Sequence, residues 1–537
     1  MSKQDSNPRV EIKQGIVTGR KEEGVFTFKG IPYAEPIKGI NRWMPPKSPK
    51  PFNGDFDATE YGEICPQYAG TVPSWMLSKA GKALVFMMND VNKHPQGENC
   101  LNLNIWTPKI ETENPLPVVV FIHGGGLSLG SGADPYFDGT NFSKQGVVFV
   151  NFNYRLGMMG FLAGDGLFKK DVLVGNRGFM DSLAVLRWVK ENISKFGGDV
   201  NNVSIAGQSG GGTAVWSLLA SPESKGLIHK AIIMSGPINM IPIEDQLKVT
   251  KDVLKKLKVP LGDVQALADV SNKKAKSTLL QTQLFSKFGE AYGEMSRTKL
   301  PTTGAYGTEF MPYDVMKALE KGASNNIDVL IGSCKNDGRV GYLVMPLPNN
   351  WAVRMFNYMI AGMIASTKKA RKEIVKKYKK AMPDSSNTIV QEQIQTDALY
   401  RIRALKAAEI HSRQKKGKTY VYQFNWESPV ADGKLGALHA LDVPFVLNNL
   451  KISESIIGDI TLAQPLATGI SKAIVSFIKT GTPESSSLPP WPEYNEQTRE
   501  TMVFDKESKI VTDPDGDLRK IWETTSGADL LDKNIEK

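Results

Sequence analysis

The feature that most constrains this chain is a serine set between glycines, Gly207-Gln208-Ser209-Gly210-Gly211, with a strand pattern before it and a helix pattern after it. Val203-Ser204-Ile205-Ala206 alternates apolar and small residues, and Thr213-Ala214-Val215-Trp216-Ser217-Leu218-Leu219-Ala220 reads as a buried helix. A strand that turns directly into a helix imposes strained backbone angles on the turn residue. Flanking glycines then let neighbouring chain pass without a Cβ clash. Such a turn predicts an exposed Ser209 hydroxyl at the edge of a sheet, beside a helix N-terminus that favours developing negative charge. The same five residues also suit an ordinary glycine-rich turn with a solvated serine, so the reading depends on partners elsewhere.

A serine hydroxyl needs a base near neutral pH, usually a histidine oriented by a carboxylate. The five histidines are His94, His123, His229, His411 and His439. His94 lies in a polar stretch and His411 precedes the basic run Ser412-Arg413-Gln414-Lys415-Lys416, so both read as surface residues. His229 leads into an apolar strand and reads as structural. His439, in Gly436-Ala437-Leu438-His439-Ala440-Leu441-Asp442, lies downstream of the serine, where the base of such a site belongs. Ile327-Asp328-Val329-Leu330-Ile331-Gly332 reads as a buried strand, and the loop Ser333-Cys334-Lys335-Asn336-Asp337-Gly338 places Asp337 at that strand's end. The order Ser209, Asp337, His439 follows. Asp442 is the rival acid; its alternative is a cap or turn residue ahead of Pro444, and Asp337 is preferred.

Val118-Val119-Val120-Phe121-Ile122 suits a buried parallel strand and runs into His123-Gly124-Gly125-Gly126. Glycines after a central strand let successive backbone N–H groups point into a cleft. Gly125 and Gly126, with Gly210 next to the serine, are the predicted donors of an oxyanion hole. His123 then positions this loop and is not a second base.

These residues resemble those of the type-B carboxylesterases of the α/β-hydrolase superfamily, the group that also contains the cholinesterases. Phe28-Lys29-Gly30-Ile31-Pro32-Tyr33-Ala34, Arg42, Glu98-Asn99-Cys100-Leu101-Asn102-Leu103-Asn104, Asn153-Tyr154-Arg155-Leu156-Gly157 and Gly175-Asn176-Arg177-Gly178-Phe179-Met180-Asp181 fit further blocks of that family in order. The resemblance covers nearly the whole chain. It implies an α/β-hydrolase fold over residues 1–537 as one domain, with a mostly parallel sheet flanked by helices and with insertions around an active-site gorge. A gorge-rim loop is expected over residues 65–100 and a helical cap over 340–385. The resemblance also implies a disulfide between Cys65 and Cys100, with Cys334 left over near the Asp337 loop. Ion pairs of Arg42 with Glu98 and of Arg155 with Asp181 would be structural, and Asp181 is expected to open a helix. Ser235, after another strand, is either a plain turn residue or a hydrogen-bond partner near the site.

Departures from the family pattern fall close to the serine. Gln208 stands where the family usually has glutamate, which removes a buried charge. Gly210 replaces alanine, Leu127 replaces a common phenylalanine, and Asp337 is one methylene shorter than the usual glutamate, so its loop must sit closer to His439. No reacting group is lost.

The net charge of +10 comes from lysines scattered among many acids. The densest basic run, residues 368–380, carries Ile374, Val375 and Tyr378 at helical spacing and reads as a solvated helix face rather than a nucleic-acid or membrane site. No zinc-ligand spacing, phosphate loop or nucleotide fingerprint is present, so no metal and no cofactor is implied. No run is long and apolar enough to span a membrane. The polar opening Met1-Ser2-Lys3-Gln4-Asp5-Ser6 points to the cytoplasm, or to a secreted enzyme given without its leader. Oligomeric state is not legible.

Two function classes follow: a serine esterase acting on a small-molecule ester, and a cholinesterase-like interaction protein with weak or no catalysis. Presence of all three reacting residues favours the enzyme. Trp75-Met76-Leu77, Ala83-Leu84-Val85-Phe86-Met87-Met88 and the Met355 to Ile364 segment are apolar; they either border the site mouth or are ordinary amphipathic helices packed on the core. They carry no dense acidic cluster for a quaternary ammonium. Uncharged short-to-medium-chain esters are the expected substrates, and choline esters poor ones.

Overall fold

The computed structural model describes residues 7–67, 93–288, 303–343 and 368–526. Most of the expected gorge-rim loop, part of the expected cap, and the apolar segments at 75–88 and 355–364 lie outside the described residues.

Among the described residues eleven strands form one sheet: β1 (Arg20–Glu22), β2 (Val25–Pro32), β3 (Asn102–Thr107), β4 (Leu116–Ile122), β5 (Val148–Phe152), β6 (Gly198–Gln208), β7 (Lys230–Met234), β8 (Asp328–Cys334), β9 (Thr419–Phe424), β10 (Glu500–Phe504) and β11 (Lys509–Thr512). Their order across the sheet is β11-β10-β9-β8-β7-β6-β4-β5-β3-β2-β1. From β5 through β10 every neighbouring pair is parallel, and the pairs at both edges are antiparallel. A separate three-stranded sheet is made by Arg9–Ile12, Gly15–Thr18 and Phe56–Asp57.

The central strands are apolar at successive positions because both of their faces are covered. Along β4, Val118, Val120 and Ile122 enter one buried cluster while Val119 and Phe121 enter the other. The first layer packs on helix α1 (Arg177–Asn192) through Leu183 and Leu186, and on α2 (Gly210–Ala220) through Ala214, Val215 and Leu218. The second packs on a later helix, Ile460–Thr480, through Ile470, Ile474 and Phe477. The basic run forms helix Lys368–Ala381, whose Ile374 and Tyr378 are buried against Ile521 and Trp522 while Lys372, Lys376, Lys379 and Lys380 face solvent. The α1 helix starts at Arg177, so Asp181 lies inside it and does not open it.

Because β4, β6 and β8 are parallel, the segments that follow them all leave from one edge of the sheet. These are the glycine run, Ser209 and the Asp337 loop. Crevices at the carboxyl ends of parallel strands are where open α/β sheets bind ligands. Among the described residues no helix is long and apolar enough to cross a membrane.

Candidate active site

β6 ends at Gln208, α2 begins at Gly210, and Ser209 joins them with φ 55° and ψ −121°. That is a strained conformation for a residue with a side chain. Its N–H is held by the Met234 carbonyl at 2.9 Å, which ties the turn to β7. A Cβ on Gly211 would lie 2.0 Å from the Ile122 carbonyl oxygen, so only glycine lets the start of α2 press against the end of β4. A Cβ on Gly210 would lie 3.1 Å from the Gly126 nitrogen, which puts the glycine run directly beside the residue after Ser209. Gly125 and Gly126 are exposed, with φ of 107° and 60°.

Asp337 and His439 reach each other through their loops. Asn336 and Leu438 pair as an isolated parallel bridge, in which the Asn336 N–H donates to the Ala437 carbonyl at 3.0 Å and the Asn336 Oδ1 accepts from the Ala437 N–H at 3.1 Å. With the loops clasped, His439 Nδ1 lies 2.7 Å from Asp337 Oδ1. The short aspartate therefore reaches the ring without a longer side chain. Asp337 is fully buried; its Oδ2 accepts from the Ser235 hydroxyl and from the Cys334 N–H, both at 2.9 Å. Of the two readings of Ser235, the hydrogen-bond partner is the one observed. The His439 side chain keeps 12% of its surface exposed, enough to face an open site.

Asp442 is not on His439. Its Oδ2 accepts from the Tyr422 hydroxyl at 2.6 Å, and it stands at the N-cap of the short helix Val443–Val446, ahead of Pro444 and without a side-chain cap hydrogen bond, which is the cap or turn position of the alternative reading. Burial raises its carboxyl to about 6. His123 is buried, stacks on Tyr154 with ring centroids 4.5 Å apart, and meets the Gly124 carbonyl through Nδ1 at 2.8 Å. Burial lowers its ring to about 4, so it is neutral and suited to bracing the glycine run.

His229 Nδ1 accepts from the Val203 N–H at 3.1 Å, in keeping with a structural residue. His94 is half-buried with its ring edge-on to Tyr61. His411, expected at the surface, is buried; its ring nitrogens meet Thr419 Oγ1 at 2.8 Å and the Ser324 carbonyl at 3.2 Å. The helix that carries it, Ile402–Arg413, turns that face inward before the basic run begins. Cys65 and Cys100 are buried free thiols, and Cys65 Sγ accepts from the Leu156 N–H at 3.4 Å. Cys334 is buried one turn from Asp337.

Two neighbours of His439 were not legible beforehand. The Tyr400 ring lies 4.7 Å from the His439 ring, delivered by a π-helical turn, Asp397–Arg401, that the Asp397–Arg401 ion pair closes at 2.6 Å. Nothing in local sequence marks that turn. Gln208 Nε2 lies 3.1 Å from His439 Nε2; its replacement of the expected glutamate was the one available signal. The Arg42–Glu98 and Arg155–Asp181 pairs are present, both at 2.6 Å, the second wholly buried.

This geometry supplies a serine on a strained turn, an imidazole whose far nitrogen is fixed by a buried carboxylate, and backbone amides beside the serine. Such a set can activate a hydroxyl and stabilise an oxyanion. A family model described as the carboxylesterase family matches residues 6–520. A para-nitrobenzyl esterase of Bacillus subtilis (strain 168) is 33% identical over 516 residues, covering 95% of this chain and 97% of that protein. A fumonisin B1 esterase of Sphingopyxis macrogoltabida is 30% identical over 522 residues, covering 93% and 87%. Among solved structures, a Geobacillus stearothermophilus carboxylesterase superposes with a TM-score of 0.80 at 30% identity, covering 96% of this chain and 99% of the other.

Proposed function

This chain belongs to the carboxylesterase family, and from that premise we propose that it cleaves uncharged, short-to-medium-chain carboxylic esters through an acyl-enzyme on Ser209. Ser209 Oγ attacks the ester carbonyl as His439 Nε2 takes its proton, and Asp337 fixes the ring through Nδ1. The N–H groups of Gly125, Gly126 and Gly210 receive the carbonyl oxygen as it gains charge. Collapse expels the alcohol, which leaves with the proton from His439. Water, activated by the same ring, then hydrolyses the acyl-enzyme and frees Ser209.

The observation that carries this reading is the 2.7 Å contact between His439 Nδ1 and Asp337 Oδ1 at the sheet edge where Ser209 stands. The substrate preference is supported by a cavity of about 110 Å³ whose wall includes Ser128, two residues after the glycine run. It is lined by Leu129, Leu156, Met158, Met159 and Leu279, with Lys276 at its side. Apolar walls suit an uncharged acyl or alcohol group, methionines adapt to varied shapes, and a lysine ammonium opposes a quaternary ammonium. A kinetic panel of neutral esters graded by acyl length, set against choline esters of equal acyl length, tests this. A clear preference for the choline esters overturns it.

A further inference from the structure

We propose that Gln208 is a positioning residue for His439, donating its side-chain amide to the ring nitrogen that has to take the Ser209 proton. This deepens the reading above and rests on it.

The Gln208 amide nitrogen lies 3.1 Å from His439 Nε2, and the opposite ring nitrogen lies 2.7 Å from Asp337 Oδ1. Asp337 already accepts from Ser235 and from the Cys334 N–H through its other oxygen, so it acts as the acceptor and Nδ1 carries the ring proton. A neutral imidazole protonated there has a single acceptor, Nε2, and a primary amide nitrogen is a donor only. The contact therefore runs from Gln208 to the ring. The amide oxygen sits against the glycine run, where a Cβ on Gly124 would lie 2.5 Å from it, so the side chain crosses the site in space that a glycine leaves open.

Each element around the ring brings a different group. The loop after β8 brings the Asp337 carboxylate, the π-helical turn brings the Tyr400 ring, the ring's own segment brings Asp442, and β6 brings Gln208. A donor to the neutral ring favours that form over the protonated one. It also occupies the lone pair that Ser209 needs. When the ring takes the serine proton, Nε2 becomes a donor, and the amide must release it or turn its oxygen inward. A glutamate at this position would do the reverse and favour the protonated ring.

The test is the pH dependence of kcat/KM on a neutral aryl ester, which reports the free enzyme. Gln208→Met keeps the length and removes the donor; its acid limb is expected to move up by about 0.5–1 pH unit. Gln208→Glu is expected to move it further, by about 1 unit or more. Gln208→Asn withdraws the amide by one methylene, should follow the methionine variant, and stands in if that variant does not fold. The shift should persist in an Asp442→Asn background. An acid limb that stays put, or moves down, in folded Gln208→Met or Gln208→Asn overturns the proposal. Full activity in Ser209→Ala would instead overturn the serine reading itself, so the two failures are distinct.

Discussion

Asp337 and His439 stand 102 positions apart in the chain, and their side chains meet at 2.7 Å because the residues just before each of them, Asn336 and Leu438, are paired as a strand bridge. The carboxylate is thus mounted on the imidazole's own loop as much as on the sheet.

Removing the acid's charge should cost far more than removing that of its neighbour. Asp337→Asn is expected to lower kcat by on the order of 10³–10⁴-fold. Asp442→Asn, which touches Tyr422 instead, should stay within about tenfold. A larger loss in the Asp442 variant would reverse the assignment of the acid.

Ser209→Ala should abolish turnover of simple aryl esters, by on the order of 10⁴-fold or more, with an unchanged circular dichroism spectrum. Retention of most activity in the folded variant would falsify the serine mechanism.

The buried Asp442 carboxyl has a pH signature in stability. Its folded value of about 6 lies above its ordinary 3.8, so the folded state holds the proton more tightly than the unfolded chain does. Its contribution is whole below pH about 4 and is lost as pH rises to about 6. The stability of the parent minus that of Asp442→Asn should fall by about 2–3 kcal/mol across this window in denaturant titrations. A flat difference would show that burial does not hold the proton there.

Ion pairs should divide by depth. Arg155 and Asp181 are both wholly buried, so Asp181→Ala leaves an uncompensated guanidinium and should cost about 3–5 kcal/mol. Arg9 and Asp55 are each about half exposed, and Arg9→Ala should cost less than about 1 kcal/mol. Urea unfolding of both variants checks the contrast.

What the sequence disclosed follows from how local each signal is. The elbow, β4 and β8 could be read because a buried parallel strand is a continuous apolar run and the residues after it leave from one edge. The strand ending at Gln208 is longer than its apolar stretch suggests, running from Gly198, since β-pairing to Leu116 extends it over polar residues. His411 was misread because the basic run next to it is exposed, while helical phase turns the ring itself inward to Thr419. The partnership of Asp442 with Tyr422 and the approach of Tyr400 to His439 arise from tertiary packing, and neighbouring residues carry no trace of either.

The contact between Gly211 and the end of β4 has a consequence for how such a protein can change. There the spacing between the serine turn and the glycine run is set by main chain resting on main chain, with the place of a Cβ only 2.0 Å from the Ile122 oxygen. No side chain acts as a shim at that point, so substitutions in the surrounding walls have no lever on it. The cavity walls can drift over many generations while the gauge between the serine turn and the glycine run keeps its setting.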